Sequence, residues 1–279
     1  MAADEPLSHL VLSAASVTED LGYVALADLY QVVGEDITDC RVIGGHMVTL
    51  LAARWRLSPD LYRETGDADL GVPPVVARDY HLPDRLKALG YEQVAGDRFA
   101  RTMSDIPVTV ATAENTPRQA IIDVPVPAYT SRARQNVKIS EDLVTTEVLG
   151  LAAALSRPPV TMGLELHRLN GQTLQATLPV ADEVSALVLK SLATRTRVKA
   201  TDTTDIWRCL EIAFADDVTP PDFTRAVRAE AADIIRALFA RRDGAGMVAL
   251  ADERRLSAQA ADQRFTRVRA LIARAIGPA

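Results

Sequence analysis

Two glycines and two aspartates, set one helix apart, constrain this 279-residue chain more than any other feature. The apolar run Val42-Ile43 ends in Gly44-Gly45-His46-Met47, and a helix-like stretch follows over about 45–57. Then Arg63-Glu64-Thr65-Gly66-Asp67-Ala68-Asp69-Leu70-Gly71-Val72 has the alternation of a second strand. Residues i and i+2 of a strand share a face, so Asp67 and Asp69 present both carboxylates to one point while Leu70 and Val72 continue into the sheet. Two hard anionic oxygens on one point suit Mg²⁺ (or Mn²⁺), which binds through one or two carboxylates plus substrate phosphates. Paired glycines let a backbone approach a ligand and open a helix whose N-terminus favours anions, which makes Gly44 and Gly45 nucleotide-binding candidates. Metal on one strand and phosphate at the neighbouring turn is an arrangement for phosphoryl transfer.

The chain is long enough for one large domain or two modest ones. Its 48% hydrophobic and 24% charged residues are those of an ordinary globular protein. A net charge of −6 argues against a protein that coats nucleic acid nonspecifically, whereas a local basic groove is a separate quantity from net charge. Cys40 and Cys209 lie far apart, and the four histidines show no metal-ligand spacing, so neither a disulfide framework nor a zinc site is expected. No apolar run approaches the roughly 18 residues needed to cross a bilayer, and no basic start with an apolar stretch opens the chain. A cytoplasmic protein without membrane contact is the expectation.

Apolar spacing over residues 7–33 reads as one or two helices beside the sheet. Pro73-Pro74 closes the Asp67/Asp69 strand, and Leu82 to Leu89 reads as a helix capped by Gly90. Pro107 to Ala113 and Gln119 to Val126 read as strands. Within the second, Asp123 sits among apolar neighbours, where a charge is costly unless paired or metal-bound, so it is a candidate third metal ligand. The polar, basic stretch Ala128 to Lys138, with one aromatic, reads either as a surface loop or as the rim of a nucleic-acid groove. Leu143 to Leu155 is expected to be helical. Val160 to His167 and Thr173 to Leu178 flank the turn signal Asn170-Gly171.

A helix over Ala181 to Arg197 follows, with Lys190 and Arg197 seven residues apart and so nearly on one face. After it come Lys199, Asp202 and Asp205 at the start of another helix. From Pro220 onward the pattern is helical, with breaks near Gly244 and Gly246 and an apolar stripe of Phe265, Val268, Leu271, Ile272 and Ile276. Arg264, Arg267 and Arg274 lie largely off that stripe, either as a solvated charged face or, together with Arg241, Arg242, Arg254 and Arg255, as a basic surface that guides RNA.

The glycine pair, the helix-length spacer and the carboxylate pair together resemble the nucleotidyltransferase signature of the DNA polymerase β-like superfamily. Arg-x-Thr-x-Asp-x-Asp-Leu, here Arg63 to Leu70, resembles the AbiEii/MenT family of toxin nucleotidyltransferases. So does the later order Lys190, Arg195, Arg197, Lys199, Asp202, Asp205-Ile206. The chain departs from that pattern at His46-Met47, in a longer gap between Phe99 and Asp123, and in Ile206 for leucine. The resemblance implies an α/β (α+β) fold: a polymerase β-like lobe with a mixed sheet over 1–140, and a mainly helical lobe with a hairpin over 141–279.

It further implies catalytic roles for Asp67, Asp69, Asp123, Lys190 and Asp205, with the three aspartates Asp67, Asp69 and Asp123 as metal ligands. Gly44, Gly45, Thr65, Lys190, Arg197 and Asp202 would bind the nucleotide. The implied reaction moves a nucleoside monophosphate from an NTP to RNA, at the tRNA 3′ end, by a toxin with a separate antitoxin protein. A small-molecule or AMPylating nucleotidyltransferase, or a catalytically silent nucleotide-binding protein, remains an alternative reading of the same residues.

Overall fold

Chain order alternates strand and helix from the start. The computed structural model describes residues 5–34, 37–106, 118–196 and 200–278. Residues 7–33 are not helical throughout, because a strand, β1 (His9–Ser13), precedes helix α1 (Val17–Val33). Ser16 separates them: its backbone is extended and its hydroxyl accepts the Glu19 N–H as an N-cap. The central unit then follows as β2 (Arg41–Ile43), α2 (Gly44–Arg54) and β3 (Asp67–Gly71). After β3, Pro73 and Pro74 end the ladder and start the short helix α3 (Pro74–Asp79), which α4 (Leu82–Ala88) continues.

Strands β4 (Glu92–Ala95) and β5 (Arg98–Thr102) form a hairpin, and β6 (Gln119–Asp123) returns beside β5. The strand expected over 107–113 lies outside the described residues, as do Arg197 and Lys199. Next come β7 (Val126–Pro127), β8 (Val137–Lys138), β9 (Val144–Thr145) and β10 (Glu147–Val148). The helix expected over 143–155 is thereby reduced to α5 (Leu151–Leu155). The run Val144-Thr145-Thr146 is β-branched, the Thr145 hydroxyl donates to the Val124 carbonyl at 2.6 Å, and Gly150 turns the chain at φ +83°.

Strands β11 (Val160–His167) and β12 (Thr173–Val180) form the expected hairpin, turning at Gly171 with φ +85°. Its place is not with the C-terminal helices. Among the described residues it joins an eight-stranded mixed sheet of order β1-β11-β12-β2-β3-β6-β5-β4, with Val180 opposite Val42. The sheet therefore draws on residues from both sides of position 140, and the helical part begins only at α6 (Glu183–Thr196).

That part continues with α7 (Ala200–Ala215), α8 (Ala226–Phe239), α9 (Ala245–Arg254) and α10 (Ala258–Ile276). α1 packs across β12, β3 and β6, whereas α2 joins the sheet to α6 and α7. Val268, Leu271, Ile272 and Ile276 bury the stripe of α10, and Trp207 and Phe239 are the largest side chains in the helical core. The whole is a mixed α/β fold. Among the described residues no helix is long and apolar enough to cross a membrane.

Candidate active site

Antiparallel pairing of β2 with β3, and parallel pairing of β3 with β6, bring the central residues to one end of the sheet. Asp69 lies opposite Ile43 on one side and opposite Asp123 on the other. Asp67 and Asp69 are half-buried while Ala68 and Leu70 are fully buried, the alternation a strand with one covered face must have.

The glycine pair now has a structural cause. Gly44 has φ +71°, and a Cβ there would stand 1.8 Å from Asp69 Oδ2. A Cβ on Gly45 would meet Thr65 Oγ1 at 2.7 Å. The backbone that opens α2 is thus laid directly against the Asp69 carboxylate and the Thr65 hydroxyl, and only glycine leaves the room. Thr65 in turn donates to Asp67 Oδ1 at 3.0 Å. Burial pushes Asp67 up, but the Thr65 hydrogen bond and the charge of Arg98 outweigh it and hold Asp67 below the usual carboxylate range.

Arg98, at the start of β5, sits opposite Asp123 in register. Its Nε and Nη2 donate to the two Asp123 oxygens at 2.9 and 2.7 Å, and Nη2 is 3.5 Å from Asp67 Oδ2. The Asp123 hydrogen bonds, with the charges of Asp67 and Asp69, hold the guanidinium firmly protonated. Asp97 beside it is pushed up by burial, with the Asp123 charge acting in the same direction, and accepts a hydrogen bond from the Thr146 hydroxyl at 3.3 Å.

Across a cavity of about 840 Å³ stands α6. Gly44, Asp69, Asp97, Arg98, Asp123, Lys190 and Asp202 all line that cavity. Lys190 is buried, and its Nζ lies 2.8 Å from Asp205 Oδ2. Asp205 itself is fully buried and also accepts from Arg63 at 2.8 Å and Arg208 at 3.1 Å. Asp205 therefore aims the lysine rather than facing the cavity. His46 lies on α2 away from the cavity; burial pushes its imidazole down to about 4, so it is neutral at pH 7.

The structure brings Asp67, Asp69, Asp123, Gly44, Gly45 and Thr65 together on the sheet side, and Lys190, Asp202 and Asp205 on the helix side. Arg197 lies outside the described residues. The sequence reading missed three things: the Arg98–Asp123 clamp, Asp97, and the pair made by Arg134 and the buried Glu147 at the cavity wall. Arg98 immediately precedes the buried Phe99, and that Arg-Phe pair on the strand ahead of Asp123 was the available signal. The C-terminal arginines are largely consumed within the protein. Arg254 and Arg264 cover Trp207, Arg267 pairs with Glu211, Arg274 with Asp217, Arg242 with Asp262 and Arg241 with Asp243.

Among the described residues, no group of three or more acidic, histidine or cysteine side chains is placed to hold a metal by itself. Asp67 and Asp69 nonetheless fit Mg²⁺ in donor chemistry, as hard oxygens on one strand face beside a cavity that can admit phosphates. Asp123 is engaged by Arg98 instead, so the three-carboxylate shell expected from sequence is not assembled here.

No protein-family model matches this chain, and no curated protein matches its sequence. An antigenic nucleotidyltransferase-like protein from Paracoccidioides brasiliensis is similar in structure, with a TM-score of 0.41 and 17% identity over 78% of this chain and 88% of that one. The likeness is distant.

Proposed function

We propose that this chain is a metal-dependent nucleotidyltransferase that moves a nucleoside monophosphate from an NTP to an RNA hydroxyl and releases pyrophosphate. One observation carries the reading: Asp69 and Asp123 lie opposite each other on adjacent strands, across a nucleotide-sized cavity from a buried lysine held by Asp205. Mg²⁺ or Mn²⁺ on Asp67 and Asp69 would supply charge neutralisation for the triphosphate. Lys190 would give a fixed point charge to the phosphates, and the N-terminus of α2 at Gly44 would add backbone donors. Asp202, at the cavity wall, would border the sugar or base, and Asp123 would accept the hydrogen bond of the attacking hydroxyl.

The finer assignment rests on the motif from Arg63 to Leu70 and on the order of charges from Lys190 to Asp205. On that basis the acceptor is the 3′ end of tRNA, the biological role is that of a toxin, and a separate antitoxin protein is its partner. The test uses wild type and Asp69→Ala with Mg²⁺, each α-labelled NTP in turn, and total tRNA. Label in tRNA with wild type alone is the expected result and names the nucleotide. Label in protein would shift the assignment to an AMPylating enzyme, and no label with any metal would overturn the enzymatic reading.

A further inference from the structure

Beyond the carboxylates and Lys190, one wall of the cavity has its own chemistry. Residues 133–136 line it, and the stretch 128–138 to which they belong carries three basic side chains and no acidic one. The stretch is exposed yet fixed. Ala128 N–H donates to the Val148 carbonyl at 3.0 Å, Glu147 N–H to the Arg134 carbonyl at 2.8 Å, and Val137 pairs with Thr145. Arg195, on α6, reaches back to the Ser131 carbonyl at 3.4 Å.

Two side chains on this stretch are unusual for their settings. Tyr129 is 72% exposed, the most exposed large hydrophobic side chain among the described residues. Arg134 is also largely exposed, although buried Glu147 grips it, accepting from its guanidinium at 2.5 Å and from its N–H at 2.9 Å. A guanidinium fixed through one edge and open at the other is preorganised for an anion. An open aromatic face a few residues away, on a rigid basic stretch, is the combination that holds single-stranded nucleic acid by stacking and phosphate contact.

We infer that residues 128–138 form the acceptor wall: Tyr129 stacks on a base near the acceptor end, and Arg132 and Arg134 hold phosphates of that strand. This inference rests on the nucleotidyltransferase reading for the word acceptor, but the surface itself is tested without catalysis. Removing Arg134 would strand buried Glu147, so the exposed residues Tyr129 and Arg132 carry the test. Fluorescence anisotropy of a labelled single-stranded RNA ending in a free 3′ hydroxyl, with no NTP present, is measured with wild type, Tyr129→Ala, Tyr129→Phe and Arg132→Met. Tyr129→Ala should weaken binding about 10-fold while Tyr129→Phe keeps it, since stacking needs the ring and not the hydroxyl. Arg132→Met should lower the salt slope of binding by about 0.7, the contribution of one phosphate on a single strand.

Arg134→Lys, which keeps charge but loses the fork, then separates the two phosphate sources. A higher KM for RNA with unchanged KM for NTP supports the acceptor wall, and the reverse would assign Arg134 to the triphosphate and overturn its place here. Wild-type affinity and salt slope in Tyr129→Ala and Arg132→Met would overturn the inference, leaving the surface to a protein partner, while label transfer to RNA by those variants would keep the enzymatic reading intact. RNA binding lost in the variants of a protein that transfers no label would do the opposite.

Discussion

Gly44 is the residue with the least freedom to change. Its positive φ already disfavours a side chain, and the Asp69 carboxylate occupies the space a Cβ would need. Gly44→Ala must therefore move either the start of α2 or Asp69. A displacement of about 1 Å at reacting groups costs on the order of 100-fold in rate, and the left-handed backbone adds about 1–2 kcal/mol of destabilisation. Initial rates of label transfer and urea unfolding check the two parts separately; a variant with wild-type rate would mean that Asp69 is not at the reacting centre. A second single-residue prediction concerns Asp216, which does not line the cavity. Burial, joined by the charges of Glu183, Asp182 and Asp217 against the opposing Arg54, pushes it up to about 7. The folded state then holds a proton that the unfolded chain releases near 4, so this group's contribution to stability is present in acid and is lost as pH rises towards 7. Asp216→Asn removes that slope. Its stability relative to wild type should rise between pH 5 and pH 8 in urea titrations, and an identical difference at both pH values would count against the assignment.

At the scale of elements, the register of β3, β6 and β5 decides which charges meet. Asp67 and Asp69 face one way because a strand alternates, Asp123 faces Asp69 because β6 runs parallel to β3, and Arg98 meets Asp123 because β5 runs antiparallel to β6. Arg98 is thus the internal counter-cation of the carboxylates. Arg98→Gln should cost about 1–2 kcal/mol in EDTA, the worth of a half-exposed charged fork, and less in Mg²⁺ or Mn²⁺ because the freed carboxylates gain a cation. Thermal melts with and without metal read this directly; equal losses in both would argue against metal on these side chains. Local signals in the sequence marked out β2, α2, β3 and the β11–β12 hairpin, because glycine turns, proline stops and alternation act within a few residues. They did not reveal β1, whose role is to pair with β11 more than 150 positions away, or the strands at 144–148, where β-branched residues outweighed helix-like apolar spacing. The site divides the same way. Asp67, Asp69 and the glycines were legible because their geometry is local, whereas the Arg98 clamp and the Arg134–Glu147 pair depend on register and long-range return of the chain.

Over the whole molecule, Asp205 ties the two sides of the cavity together. It lies on α7 and receives Lys190 from α6, Arg208 from its own helix and Arg63 from the segment that leads into β3. Arg208 extends the tie to Glu253 on α9 at 2.5 Å. One fully buried carboxylate thus receives three cations drawn from the sheet side and the helical side, with Glu253 a second counter-charge at Arg208, and it is the anion that holds Lys190. Asp205→Ala leaves those charges facing one another, which should cost about 3–5 kcal/mol, as breaking a buried ionic network by removing one partner does. Arg63→Met should cost less, because Arg63 is partly exposed and Lys190 and Arg208 remain as partners of Asp205. Measured together in a double-mutant cycle, Arg63 and Asp205 should show a coupling of about 1–3 kcal/mol. The same cycle in KM for NTP separates holding the fold from holding the lysine: Asp205→Ala should raise KM, whereas Arg63→Met, which leaves the Lys190–Asp205 pair intact, should raise it far less. A coupling near zero would mean that apolar packing of α2 on α6 and α7 alone keeps the two sides in place, with the ionic tie serving only to aim Lys190.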